Sequence, residues 1–175
     1  HVARRADVAV GSLYTYFGDR DGMLRFIAAL CVRVVTGSLN EYREQLAALP
    51  VRDALRYYLA GGIEWSRTFA GLLRLFARAA YQGDPELADT LVRPVADTLR
   101  GTVANILAAA QARGEIRPDV DLDAATRFVH GLSIVVADAQ LLPYLNAYYQ
   151  TAPDHAGAPD PVEAVIAFIL DGIGT

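Results

Sequence analysis

The sequence contains no lysine; all sixteen of its basic residues are arginine. Against twenty carboxylates they leave a net charge of −4 over 175 residues, which excludes a uniformly basic nucleic-acid coat protein but not a local basic module. Cysteine is almost absent. Cys31 stands alone, so neither an intramolecular disulfide framework nor a multi-cysteine zinc site is open to the chain, and its place on a core stripe suits a buried structural thiol. Histidine is confined to His1, His130 and His155, with no i, i+4 pair and no His-Glu-x-x-His run. No metal site is expected; Asp154 and His155 are the nearest approach to one, and His130, on the flank of an apolar stripe, suits a subunit contact or exposure. A phosphate-cradling glycine loop and a Gly-x-Ser-x-Gly elbow are also missing, so nothing supports an enzyme or a bound cofactor. No apolar run reaches the ~18 residues of a membrane span, and no charged-then-apolar leader opens the chain. These absences describe a soluble, cytoplasmic protein of a reducing compartment that meets no membrane.

What is present is apolar. Hydrophobic residues make up 53% of the chain, enough to bury a sizeable core and to exclude disorder over the whole length. Helical periodicity runs throughout, no stretch keeps strand alternation, and the fold class expected is all-α. A helix ends at about Asp7, and a short one over Val10–Phe17 stops at Gly18. Asp19 caps a long helix reaching Leu46, which Pro50 closes. The next helix starts near Asp53 and carries Leu55, Leu59 and Ile63. Gly71 and the Gly83-Asp84-Pro85 turn bracket another over Leu72–Tyr81. A long helix from Glu86 to about Arg113 contains Pro94, where a kink or break is expected. Asp121 or Asp123 opens a helix reaching Pro143. Residues 151–161 form a loop, and Val162–Ile173 a last helix. Charge divides unevenly: five arginines against three aspartates give residues 1–35 a net +2, leaving the remainder acidic.

The first 35 residues fit a helix-turn-helix. Such a motif needs a tight turn and a second helix slim enough at its start to enter a major groove ~12 Å wide. Ala6-Asp7-Val8-Ala9 supplies the turn, because Asp tolerates the left-handed conformation, and Val8 is expected to pack beneath it. Gly11 and Ser12 open the second helix with little bulk. Leu13 and Phe17 make its inner side, leaving Ser12, Tyr14, Thr15 and Tyr16 outside, where hydroxyls suit phosphates and base edges.

The run VARRADVAVGSLYTYFGDRDGML resembles the signature of the tetracycline-repressor (TetR) family of bacterial transcriptional regulators. Val2, Ala3, Ala6 and Val8 match its first helix and turn; Gly11, Ser12, Leu13, Tyr14, Tyr16 and Phe17 match its recognition helix; Asp19 matches the following cap. Asp7 stands where the family usually has Gly, and Ala9 where it usually has Ser, so a capping hydroxyl is lost, worth about 1 kcal/mol. Arg20 replaces a usual Lys. The family packs one more helix beneath these two, which the resemblance implies is lacking from the chain as it begins at His1. The resemblance further implies that Tyr14 and Thr15 face base edges, that Ser12 and Tyr16 hydrogen-bond phosphates, and that Arg20 pairs with a phosphate at the start of the long helix. It implies a partial DNA-binding domain over residues 1–46 and a helical ligand-binding and dimerisation domain over residues 47–175. The function implied is that of a ligand-responsive regulator, most simply a repressor bound as a dimer to a palindromic operator and released by a small molecule. The competing reading is a helical small-molecule-binding or dimerisation module with a vestigial head.

Two expectations concern the body. The homodimer interface is expected on the last two long helices, through Val129, Leu132 and Val136 and through Val162, Val165, Ile166, Ile169 and Ile173, a stripe wider than one small core needs. The effector pocket is sought on the helix from Arg52, where Tyr58, Gly61, Gly62 and Trp65 share one stripe, with Phe69 at its end. Adjacent glycines inside a helix cost about 1 kcal/mol each, so the space has a use. They line a pocket for an aromatic or otherwise apolar ligand, with Asn105 as its polar anchor and Tyr81 as a weaker candidate. Alternatively, they admit the Gly101-Asn105-Ala108 face of the long helix.

Overall fold

The structure, a computed structural model, describes residues 2–151, 157 and 160–175. Asp154, His155 and most of the 151–161 loop lie outside the described residues. Among those described there is no strand, only an isolated bridge between Ile116 and Gly174. The fold is all-α.

Local chemistry explains the helix boundaries. α1 (Val2–Arg5) and α2 (Val10–Phe17) are short, and α3 (Arg20–Ala48) is the longest helix. Pro50 precedes α4 (Val51–Thr68), while α5 (Ala70–Gln82) closes on Gly83 at φ 69°, a conformation that favours glycine. Aspartates start the others. Asp84 accepts from the Leu87 N–H at the start of α6 (Pro85–Leu87), Asp121 caps α8 (Leu122–Leu141), and Asp160 caps α10 (Pro161–Ile173). Pro94 does not break the long helix. A π-helical turn over Ala88–Val92 joins α6 to α7 (Arg93–Ala112), and the Arg93 N–H reaches the Ala88 carbonyl. The wider turn immediately before Pro94 accommodates a residue that brings no N–H and crowds the preceding turn. Like α6 and α10, the short α9 (Pro143–Tyr149), which the periodicity did not reveal, begins on a proline, because proline suits a first helical position.

Two apolar clusters hold the body. The first joins Leu55, Tyr58, Leu59 and Ile63 of α4 to Val103, Ile106 and Leu107 of α7, Val129 of α8, and Val162, Ile166 and Ile169 of α10. The second sets Ala28, Cys31 and Val35 of α3 against Ala79 of α5, Leu87, Leu91 and Val95. Leu39 and Leu99 touch both clusters, which makes the contact between α3 and α7 the seam of the molecule. α3 is long and apolar enough by length and composition to cross a membrane, a property that a search for uninterrupted runs misses because Arg25 and Arg33 interrupt it. Here its stripe of Ala28, Cys31 and Val35 is spent in the second cluster.

A polar clamp fixes the corner where α3 turns into α4. Arg113 donates to the carbonyls of Ala47 at 2.6 Å and Leu49 at 2.7 Å. Glu115 accepts the Val51 N–H at 2.6 Å, and that bond, with its Arg113 partner, holds the Glu115 carboxyl below the usual range. Elsewhere Arg56 bridges α4 to α10 through Glu163 at 2.6 Å; both side chains are well exposed, so the pair contributes little.

Leu107 is wholly buried whereas Tyr57 is exposed on the outer side of α4. Leu107→Ala should lower unfolding free energy by about 2–5 kcal/mol and Tyr57→Ala by less than about 0.5 kcal/mol, as read from urea denaturation midpoints. Equal effects would contradict the core assignment.

Candidate functional site

The N-terminal helices meet the geometry that a helix-turn-helix requires. Asp7 has φ 53°, and the Val8 N–H returns to the Ala3 carbonyl at 3.0 Å, closing the turn. Ala9 caps α2 with backbone alone. α2 ends at Gly18, φ 75°, and Asp19 accepts the Gly22 N–H at 2.6 Å to start α3. Gly22 is a requirement that composition did not reveal: a Cβ there would lie 2.0 Å from the Phe17 carbonyl oxygen, so no other residue lets α2 end so close to α3. Val8 departs from expectation. It is exposed, because α1 and α2 are too short to cover it; among the described side chains of these two helices and their turn only Ala3 is buried.

Ser12, Tyr14, Thr15, Tyr16 and Arg20 all reach solvent, with Tyr14 59% and Tyr16 75% exposed, while Leu13 and Phe17 turn inward. The Tyr16 ring is braced edge-on against Phe17 at 4.8 Å and near Phe26 at 6.3 Å, which fixes the ring and leaves its hydroxyl outside. Thr15 donates its hydroxyl to the Gly11 carbonyl at 3.0 Å. Arg20, at the first position of α3, has no ion-pair partner among the described residues, unlike Arg25, which reaches Glu86 at 3.5 Å. α2 carries no acidic side chain. This face is therefore hydroxyl-rich and free of negative charge.

The residues sought for an effector site are not brought together. Tyr58 is consumed by the first core cluster, where burial pushes its phenol up in pKa. Asn105 turns to α3, donating to the Arg43 carbonyl at 3.5 Å. Gly61 and Gly62 are exposed, and a Cβ on either would meet nothing within 4 Å, so they neither line an enclosed pocket nor admit a helix. Periodicity puts Gly62 one heptad beyond buried Leu55, but it cannot tell that Ile63 next to it takes the core contact and leaves Gly62 open. Trp65 and Phe69 do meet, with ring centroids 4.8 Å apart. Phe69 also borders an apolar recess of about 400 Å³ that Leu24 and Ile27 of α3 share with Gly71, Leu72 and Leu75 of α5.

The expected dimer stripe is also redirected. Val129, Val136, Val162, Ile166 and Ile169 are buried within this chain, and Leu132, Val165 and Ile173 are partly covered, since α4 and α7 need them for the core. The uncovered apolar residues of these helices lie on their outer faces: Phe128, 71% exposed, Ile134, and Phe168, 70% exposed.

α8 carries polar groups that sequence patterns had not singled out. Among the described residues His130 Nδ1 and Gln140 Nε2 are buried without hydrogen-bond partners, and burial followed by the charge of Arg100 lowers the His130 pKa. Asp138 sits half-buried in the last turn, and burial pushes its carboxyl up to about 6. Beside it the Tyr81 and Tyr149 hydroxyls meet, and burial, then Tyr149, Asp138 and Tyr144, raise the Tyr81 pKa. A lone acid in the run Val135-Val136-Ala137-Asp138-Ala139 was the available signal.

Comparison with known proteins completes these observations. Residues 49–154 match the family model described as the C-terminal domain of tetracyclin repressor-like proteins. No curated protein matches the chain. Among solved structures it is similar to the ketosteroid transcriptional regulator KstR2 of Mycobacterium tuberculosis, with a TM-score of 0.60 and 18% identity over 99% of this chain and 83% of that one. At that identity the likeness concerns the fold.

Asp138 gives a pH signature with a definite sign. Its folded pKa stands above the unfolded value, so the folded state binds the extra proton. Its favourable contribution is complete below about pH 4 and is lost as pH rises through about 6. Asp138→Asn should therefore gain roughly 1 kcal/mol over the parent at pH 8, after allowance for solvent screening, and nothing at pH 4. Urea midpoints at the two pH values measure it; a parent and variant that differ equally at both would contradict the assignment.

Proposed function

This chain belongs to the tetracyclin repressor-like family, and from that premise we propose that it is a ligand-responsive repressor that binds a palindromic operator as a homodimer. Family and fold are those of transcriptional regulators rather than of enzymes. Residues 1–46 act as the DNA-binding head with its connecting helix, and residues 47–175 as the effector and dimerisation body, working in the cytoplasm. The observation that carries this reading is the outer face of α2. Ser12, Tyr14, Thr15 and Tyr16 point to solvent from a two-turn helix whose other side is anchored by Leu13 and Phe17. Tyr14 and Thr15 take base edges, Ser12 and Tyr16 take phosphates, and the unpaired Arg20 takes a phosphate at the α3 N-terminus.

One recognition helix offers too few base contacts for operator specificity, and two-fold pairing doubles them. The outer faces of α8 and α10, with Phe128, Ile134 and Phe168, supply the apolar surface for that pairing. The effector is an apolar or aromatic molecule, and the recess beside Phe69, braced by Trp65, is the best-supported place for it. Leu24 and Ile27, which line the recess, follow the recognition helix by less than three turns of α3. A ligand seated there and favouring one tilt of α3 moves the head, provided that it binds the two tilts with different affinity. Tyr58, Gly61, Gly62 and Asn105 then have no direct contact with it.

Two measurements test the proposal. Tyr14→Ala and Tyr16→Phe should weaken binding to the DNA upstream of the protein's own gene, by about 1 kcal/mol for a phosphate contact and ~1–3 kcal/mol for a base contact, with dimerisation intact. Unchanged DNA affinity in both variants would assign the protein instead to helical small-molecule-binding modules with a vestigial head. Mass in solution at micromolar concentration should be twice the 18.9 kDa of the chain, and Phe168→Asp should return it to one. A parent that stays monomeric contradicts the dimer.

A further inference from the structure

α7 and α8 together line a recess of about 360 Å³, separate from the one beside Phe69. Its floor is small and apolar. Gly101, Ala104 and Ala108 follow one stripe of α7, and Leu122 joins them from the first turn of α8. Thr126 of α8, with Asp97 and Arg100 of α7 and Asp123 of α8, supplies the polar side.

Thr126 is only 5% exposed, and its hydroxyl has no hydrogen-bond partner among the described residues. The buried hydroxyls of Thr102 and Ser133 differ: each donates to a carbonyl one turn back in its own helix. A buried hydroxyl left unpaired is costly, and Thr126 borders open space only in the recess. The charges beside it are also unspent. Arg100 and Asp97 lie 3.7 Å apart, an ion pair beyond hydrogen-bond reach, and neither makes a hydrogen bond among the described residues. Asp123 is already answered, since Arg127 donates to it.

The recess therefore offers a guanidinium, a carboxylate and a hydroxyl that can both donate and accept, all over a hydrocarbon floor. An anion alone would leave Asp97 without a partner, and a cation alone would leave Arg100 without one. A zwitterion meets both, and a short apolar side chain on the same molecule covers the floor.

We propose that the recess between α7 and α8 binds a free amino acid with a short aliphatic side chain. Arg100 takes its carboxylate, Asp97 takes its ammonium, and the Thr126 hydroxyl completes the polar contacts. The side chain lies on Gly101, Ala104 and Leu122. This site goes beyond the repressor reading and requires nothing from it. Phe128 stands about 200° round α8 from Thr126, so pairing of two bodies through Phe128 leaves the recess open.

Leucine, 4-methylpentanoate and 3-methylbutylamine share one hydrocarbon body and carry both charges, only the negative and only the positive. Titrated into the full chain at pH 7 and constant ionic strength, followed by calorimetry, leucine should bind saturably and the other two at least tenfold more weakly. Arg100→Gln should erase the advantage of leucine over the amine, and Asp97→Asn its advantage over the acid. Both side chains are exposed, so neither change threatens the fold. Thr126→Val keeps the shape and removes only an unpaired hydroxyl, so it should fold as stably as the parent and bind leucine at least fivefold more weakly. In spectra of the parent, leucine should shift the amides of Gly101 and Thr126 but not those of Leu72 and Leu75. Absence of saturable leucine binding overturns the proposal, as does equal binding of the amine or the acid. Shifts confined to Leu72 and Leu75, or undiminished binding by folded Thr126→Val and Arg100→Gln, overturn it too. DNA binding by Tyr14→Ala reports on the repressor reading independently, since Tyr14 has no part in this recess.

Discussion

The clamp made by Arg113 and Glu115 is the constraint on which the geometry depends. Arg113 satisfies carbonyls at the C-terminal end of α3, and Glu115 satisfies the first N–H of α4. A helix end leaves such groups without intrahelical partners, and here a single segment after α7 takes both sides of one corner. The corner sets the direction in which α3 leaves the body. Since α3 continues without interruption to Asp19 and the α2 helix, the clamp also sets where the recognition surface stands. Leu39 and Leu99, shared by both apolar clusters, keep α3 and α7 together midway along. α3 is thus a beam held at one end and along its middle, with α2 at its free end.

That arrangement gives the apolar recess its meaning. Leu24 and Ile27 lie on the free part of the beam and Phe69, Leu72 and Leu75 on the body. Anything occupying the space between them acts on the beam beyond its last firm contact, where a small tilt displaces α2 the most. Neither α8 nor α10 contributes a residue to the lining of this recess, so pairing of two bodies and tilting of two heads need not use the same side chains.

The head was legible in the sequence because its determinants are local. Asp7 in a left-handed turn, Gly18 as a stop and Asp19 as a cap each act within a few residues, and each stands where its chemistry requires. The outer set of Ser12, Tyr14, Thr15 and Tyr16 followed from an eight-residue wheel. The body was legible as helices but less as contacts. A wheel shows which way Gly62 points, but not that Ile63 beside it meets the core and leaves Gly62 open. The same limit applied to Val162, Ile166 and Ile169, an apolar stripe that serves one core or two subunits equally well on paper. Pro94 announced an irregularity without saying that it would be a π turn. α9 and Asp138 went unread because seven residues are too few for periodicity, and because the burial of Asp138 depends on elements packed over the end of α8, which a single helix wheel does not show.

The central claim is that the exposed hydroxyls of α2 and Arg20 meet a phosphate backbone. The most direct measurement is the affinity of the protein for the DNA upstream of its own gene as a function of salt concentration. The account predicts a linear fall of log K with log salt, with a slope of about −0.9 for each phosphate neutralised, and tighter binding to this DNA than to unrelated sequence at every salt concentration. No binding at low salt, or affinity indifferent to both salt and sequence, would contradict it.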